Sequence, residues 1–519
     1  MRTTHSLDDV EINPIIVRNI IRKLKSISAA GPDRLPPIFF KQTAAIISFP
    51  LSVLFRSFID LQSLPSEWRH ANITPKFKKG LPSLPANYRP IALTCCCCKI
   101  IESIIAASLI KYLQDHNLIN KQQHGFLKNH STCTNLLESL NDWTLSLSNH
   151  ESVVIGYVDF ARAFDSVSHP KLFLKLQGYG IKGNLLFWIQ AFLTNRTQSV
   201  RVGSFLSTTR PVISGIPQGS VLGPIIFNVF INDITDNFTY VTAKLYADDV
   251  KLYTNLSSPN AVTNFQQHLS LIKSWATTWQ IAISHSKCNI LELGLHPSHA
   301  PYNFSNQYIP RANSIKDLGV LIDPKLKFDL HIHDLVCRAR QRSSLIHRCF
   351  LSRNASNLVR AFKIYIRPIV EYASPVWSPS QIYLINALES VQRAFTKRLP
   401  GFSELSYAER LTNLKLKSLE HRRLISDLVF CFKIVRGFSS IEPNSFFTPS
   451  PNLSSRGHQY RIEIPLTKSN TRKQFFSNRV VSTWNSLPSS VVSAKTPNAF
   501  KRLINQHNLA KTLIFPCVY

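Results

Sequence analysis

Three aspartates carry the chemistry open to this sequence. Asp159 sits near the end of the β-branched run "SVVIGYVDF" (152–160), and Asp248 and Asp249 stand side by side in "KLYADDVKLY" (244–253). The residues around the pair are aliphatic and aromatic and favour a buried strand. Acids are scarce, 30 Asp+Glu against 60 Lys+Arg, so two adjacent ones inside an apolar run need a reason. Residues 243–253 read as two short strands with the acids at the turn between them. If the run that carries Asp159 neighbours this hairpin in one antiparallel sheet, three carboxylates meet at one point. Such a cluster must be neutralised. A Lys or Arg would do so and leave a purely structural group. Mg²⁺ would also do so, because it takes hard oxygen ligands through one or two carboxylates plus substrate phosphates. Two such ions would hold the attacking and leaving oxygens of an in-line phosphoryl displacement.

The bulk composition fits a phosphate-bearing partner. The 519 residues carry a net charge of +30, and a basic excess of that size suits a polyanion, since neutralising phosphates releases counterions. With 44% hydrophobic and 17% charged residues the chain reads as globular, long enough for two or three domains. The opening "MRTTHSLDDVE" has no apolar segment of the secretory kind, and ten cysteines without one suggest reduced thiols in a nuclear or cytoplasmic protein that is not secreted. "TAAIISFPLSVLF" (43–55) is interrupted by Pro50 and reads as too short to span a bilayer, so no membrane partner is expected. In "TCCCCK" (94–99) four consecutive side chains point different ways and cannot converge on one ion; "HIHD" (331–334) reads as a polar surface edge.

The elements that must position the aspartates are read from pattern. The first 75 or so residues look helical, with "NPIIVRNIIRKLKSI" (13–27) apolar at helical spacing. Residues 72–93 read as basic and loop-rich, and 99–142 as helices. "TQSVRVGSFLS" (197–207) alternates like an exposed hairpin arm, and 213–234 reads as a Gly/Pro turn followed by an apolar helix. After 260 the chain reads as mostly helical and basic, with "PSPNLSSRG" (449–457) as a linker. In "RKQFFSNR" (472–479) aromatics alternate with bases; stacking on single strands is one reading and packed core the favoured one.

The motifs, taken together and in order, resemble a known family. "YVDFARAFDSVSH" (157–169), "GIPQGSVLGPIIFNVFINDI" (215–234) and "YADD" (246–249) look like the central motifs of reverse transcriptases, specifically the non-LTR (LINE-type) retrotransposon branch. "AAGPDRLP" (29–36), "LPSEWRHANITPKFKKG" (64–80), "NYRPIAL" (87–93) and "QHGFLKNHST" (123–132) resemble its N-terminal and fingers portions. "WATTWQIAISHSKCNIL" (275–291), "KDLGVLIDPKLKF" (316–328) and "RKQFFSNRVVSTWNSLP" (472–488) resemble its later palm, thumb entry and tail.

The resemblance implies an α+β right-hand polymerase with an antiparallel palm sheet, fingers, a helical thumb and a helical basic C-terminal region. The expected division is an N-terminal helical extension (1–72), fingers and palm (73–322), thumb and connection (323–448) and a C-terminal basic region (449–519). It further implies an RNA-directed DNA polymerase using two Mg²⁺ ions, with Mn²⁺ as a substitute, an RNA template, a DNA primer and dNTPs. Asp159, the Phe160 carbonyl and Asp248 would be metal ligands, with Asp249 the acidic neighbour. Phe164 would lie under the sugar and exclude a ribose 2′-OH. Gln218 and Gly219 would line the nucleotide pocket, Arg89 would hold the triphosphate, and Lys287 would stand near the leaving pyrophosphate. The sequence departs from the branch at Leu127, where Arg is usual, at His130, often another basic residue, and at Ser284, where Asn is common. No upstream endonuclease segment is apparent, which leads to the expectation of a truncated element product. The alternative reading is an RNA- or DNA-binding remnant with little or no catalysis; a host nucleotidyltransferase sharing only the palm fits less well, because fingers and thumb also match.

Overall fold

The computed structural model describes residues 2–451, 457–509 and 512–515. α1 (Pro14–Lys23) starts where Asn13 accepts the Ile16 amide and Pro14 occupies the first position, both favourable at a helix start. It stops short of the 13–27 pattern. α2 (Pro37–Asp60) runs straight through Pro50, which corrects the expected interruption. Pro50 lies on the exposed face, so the Ile46 carbonyl that loses its intrahelical donor can be met by water rather than buried unpaired. The length reading is corrected with it. Among the described residues α2 is the one helix that is, by length and composition, long and apolar enough to cross a membrane. Its inner face, including Phe40, Ala44, Phe55 and Ile59, is buried.

The stretch 72–93, expected as loop, is a hairpin of β1 (His70–Phe77) and β2 (Tyr88–Leu93). Its prolines are tolerated because Pro75 and Pro90 stand opposite each other, at a pair where neither amide is needed for the ladder. α3 (Cys96–Asp115) and α4 (Thr132–Ser148) come next, α4 opening on a capping box between Ser131 and Thr134. The cysteines of "TCCCCK" belong to the start of α3, and burial pushes the Cys95 and Cys96 thiols up to about 11, as befits small apolar residues. β3 (Val153–Val158) enters the palm, while β4 (Arg196–Val202), β5 (Phe205–Leu206) and β6 (Arg210–Val212) return to the fingers, where β1 and β4 pair in parallel.

α5 (Gly223–Ile231), β7 (Thr242–Tyr246), β8 (Asp249–Asn255), α6 (Ala261–Trp279) and β9 (Asn289–Leu293) complete the palm. Its sheet runs β7-β8-β3-β9, antiparallel throughout, with β3 central. β3 is apolar at nearly every position because both its faces are covered. Val154 and Val158 join one core with Phe265 and Leu269 of α6, whereas Val153 and Ile155 join a second with Leu137, Leu140 and Trp143 of α4. Gly156 lets Phe265 pack closely on the strand, since a side-chain carbon there would stand 3.0 Å from its ring.

Beyond 260 the chain is less helical than expected. After β9 come two further hairpins, β10 (Asn303–Phe304) with β11 (Gln307–Tyr308), and β12 (Ile315–Asp317) with β13 (Val320–Ile322). Helices then dominate: α7 (Asp329–Cys349), α8 (Ile382–Lys397) and α9 (Leu419–Val435). "HIHD" is not a surface edge at its first residue, since His331 is buried on α7 against Trp377 and accepts the Leu321 amide. The expected linker lies partly outside the described residues, at 452–456. The segment 475–509 shares the core of α7–α9: Phe475, Phe476, Trp484 and Phe500 are all buried there, so "RKQFFSNR" contributes packing. Arg479 of that segment turns inward to a bidentate pair with Asp427.

Candidate active site

The palm register does what the three aspartates require. β3 pairs with β8 so that Val158 faces Val250, and one step further Asp159 comes opposite Asp249. Asp248 occupies the β7–β8 turn beside it. Like charge gathers at the turn: desolvation and the neighbouring Asp248, Asp159 and Asp317 push Asp249 up to about 6. Asp248 is raised as well, by desolvation and then by Asp159, and Lys78 and Arg89 of the fingers oppose that shift. Arg89 is thus within electrostatic reach of the turn, exposed on β2.

Among the described residues no three His, Cys, Asp or Glu side chains form a group that could hold a metal ion by themselves. The donor set nevertheless suits Mg²⁺, which needs only one or two carboxylates when substrate phosphates supply the rest. Lys287 holds the place of a cation, its Nζ 3.0 Å from Asp159 Oδ1, with both side chains partly open to solvent. The Phe160 carbonyl was expected as a metal ligand; the Phe160 ring is buried against Trp275, and its backbone forms an antiparallel bridge with Ile283.

The loop that carries Gln218 and Gly219 is held from several sides. Gln218 Nε2 donates to Asp165 Oδ1 at 2.8 Å, and its carbonyl accepts the Ala92 amide at 2.7 Å. Ile216 and Gly215 donate to the carbonyls of Phe164 and Val167. Gly219 has φ +123°, and a side-chain carbon there would stand 2.6 Å from the Ala92 carbonyl oxygen, so only glycine fits. Phe164 stacks on Phe227 of α5 at 4.2 Å between ring centroids, 15° from parallel, which fixes its ring at the mouth of this loop.

Several positioning residues were missed in the sequence. Gln123 is buried and grips the turn itself: its Oε1 accepts the Ala247 amide at 2.9 Å and the Gly125 amide at 2.7 Å. Ala247 needs this support, since φ +57° is strained for a residue with a side chain. Gly125 must be glycine because a side-chain carbon would lie 2.4 Å from the Ala247 nitrogen. Asn135 donates to the Leu245 carbonyl, and His124 donates its own amide to the same group. Beneath the sheet Lys251 and Asp317 form a buried pair at 2.7 Å, with the Tyr157 hydroxyl 3.3 Å from Asp317. A signal for two of these was available: "QHGF" clusters polar residues before a glycine, and Asp317 is a lone acid in a strand of the β12–β13 hairpin. Leu127, the main departure, points into a small apolar recess with Ile110, Leu113 and Ile225, away from the aspartates.

Comparison with known proteins points to one family. Residues 75–322 match the family model described as reverse transcriptase (RNA-dependent DNA polymerase). The chain is 28% identical over 398 residues to the RNA-directed DNA polymerase from mobile element jockey of Drosophila melanogaster, covering 74% of this chain and 43% of that protein. It is 27% identical to the probable RNA-directed DNA polymerase from transposon X-element of the same organism, covering 75% of this chain and 44% of that one. This chain therefore spans less than half the length of these relatives. Among solved structures a telomerase from Candida albicans superposes with a TM-score of 0.39 at 14% identity, over 71% of this chain and 68% of that one, too distantly to bear on the site.

Proposed function

We infer, for a chain that carries a reverse transcriptase domain of the non-LTR retrotransposon kind at residues 75–322, that it is an RNA-directed DNA polymerase extending a DNA primer on an RNA template. The observation that carries the reading is the sheet register that brings Asp159 opposite Asp249, with Asp248 at the adjoining turn.

Asp159 and Asp248, with the Phe160 carbonyl, would hold divalent metal, Mg²⁺ by donor chemistry, with Mn²⁺ as a substitute. Bound there, it would supply activation of a primer 3′-OH as nucleophile and neutralisation of charge on the pyrophosphate. The chain's own residues do the rest by position and charge. Asp249 adds negative potential that favours cation binding once it is ionised. Arg89 forks onto triphosphate oxygens from the fingers, and Lys78 adds charge beside it. Phe164, stiffened by Phe227, closes the space a 2′-OH would need. Gln218 is kept in one orientation by Asp165, and Gly219 lets the backbone approach the nucleotide. Lys287, paired with Asp159, would stand near the pyrophosphate as a proton donor.

A second reading, a polymerase-shaped binder without catalysis, is favoured by Leu127 in its apolar recess, where the branch carries Arg. Primer extension on a ribo-homopolymer with a short DNA primer in Mg²⁺, beside Asp248→Asn, separates the two. Extension by the parent and not the variant is expected. No extension by a folded parent that still binds the hybrid would refute the enzyme reading and leave the binder.

A further inference from the structure

Glu102 is fully buried in α3, among Ile100, Ile101, Ile104 and Ile105. A carboxylate does not persist in such surroundings unless it is hydrogen-bonded. Its Oε2 accepts the amides of Val221 at 2.7 Å and Leu222 at 3.1 Å. Those are N–H groups at the start of α5 that have no intrahelical acceptor. Desolvation raises the Glu102 pKa, and the two amides and then Arg196 of β4, itself buried, oppose that shift; Arg196 is anchored to the Phe192 carbonyl at 2.9 Å. Fingers strand, α3 and the start of α5 therefore meet at one acid.

What Glu102 holds is the end of the loop containing Gln218 and Gly219. Between Gly219 and the helix, Ser220 Oγ accepts the Gly223 amide at 2.8 Å, so the segment is short and closed. The other anchors of this loop, Asp165 and the Ala92 amide, bind at Gln218; among the described residues, Glu102 is the side chain from outside the loop that binds it after Gly219. We propose that Glu102 is a positioning residue for the incoming nucleotide, holding residues 218–222 in the form that presents Gln218 and Gly219 to it. Glu102 touches neither nucleotide nor primer and acts only through the loop. The inference rests on the polymerase reading above.

Steady-state primer extension with Glu102→Ala and Glu102→Gln in the full chain tests it, together with hydrogen exchange at Val221 and Leu222 and hybrid binding by anisotropy. Charge-assisted bonds are the stronger kind, so Glu102→Ala is expected to raise the dNTP KM about ten-fold, roughly 1.4 kcal/mol. kcat should change less, hybrid Kd should stay within about two-fold, and the two amides should exchange faster. Glu102→Gln keeps an acceptor oxygen and loses the charge, so a rise of about three-fold is expected. If Glu102→Ala does not fold, Glu102→Gln alone decides by the same readouts. An unchanged dNTP KM, or dNTP KM and hybrid Kd rising together, overturns the proposal. If the parent fails to extend while its amides lose protection in the variants, the polymerase reading falls and Glu102 is an anchor of the fold only.

Discussion

Lys251→Met is the substitution expected to cost most for the fewest atoms changed. Lys251 and Asp317 are 3% and 6% exposed and 2.7 Å apart, Lys251 lying two residues along the strand that begins with Asp249. Desolvation lowers the Lys251 pKa, and Asp317 opposes that shift, so each charge depends on the other. Methionine fills nearly the same volume but leaves Asp317 with only the Tyr157 hydroxyl at 3.3 Å. Removing one partner of a buried pair costs about 3–5 kcal/mol, a large share of the roughly 5–15 kcal/mol that holds a typical domain together. Replacing both, as Lys251→Met with Asp317→Leu, removes the stranded charge and should be far less costly. The assay is native-state hydrogen exchange at the β3 and β8 amides, the strands nearest the pair. The single variants are expected to lose protection equivalent to about 3 kcal/mol or more, with most of it regained in the double variant. If the losses of the two singles simply add in the double, the pair is not coupled and the reasoning fails.

Four further outcomes are expected. Asp249, at about 6, is charged above that pH and neutral below it, so extension should fall as pH drops through 6; Asp317→Asn, removing one of the charges that raise it, should move that limb to lower pH. The same raised value means the metal-free fold gains stability from Asp249 as pH falls from 7 towards 4, a gain that thermal melts of Asp249→Asn should lack. Phe164→Val opens the space under the sugar, and the preference for dNTP over rNTP should fall by roughly ten- to two-hundred-fold, read by single-nucleotide incorporation, while loss of the Phe227 stack costs about 0.5–1.5 kcal/mol. Gly125→Ala drives a methyl group to 2.4 Å from the Ala247 nitrogen, so extension should be lost while hybrid binding, measured by anisotropy, is retained.

Much of the site is legible in the residues alone. An apolar strand carrying an acid near its end, a hairpin with two acids at its turn, and a Gly/Pro loop before an apolar helix are local patterns, written in residues a few positions apart. Their periodicity and turn chemistry place Asp159, Asp248, Asp249, Gln218 and Gly219 on the elements they occupy. Only the tertiary structure decided what holds them. Gln123 meets Ala247 across 124 positions, Glu102 meets Val221 across 119, and Lys251 meets Asp317 across 66. None of these pairings leaves a periodic trace, because each depends on how separate elements dock. The misread segments have the same cause. Pro50 survives inside α2 because its carbonyl partner faces solvent, 72–93 is a hairpin because two prolines could be set against each other, and 475–509 is core because helices α7 to α9 offer it an apolar face. Local sequence determines which backbone a segment prefers and which chemistry it carries. Which buried polar group finds a partner is settled by long-range packing, since an unpaired one would cost more than most local preferences can repay.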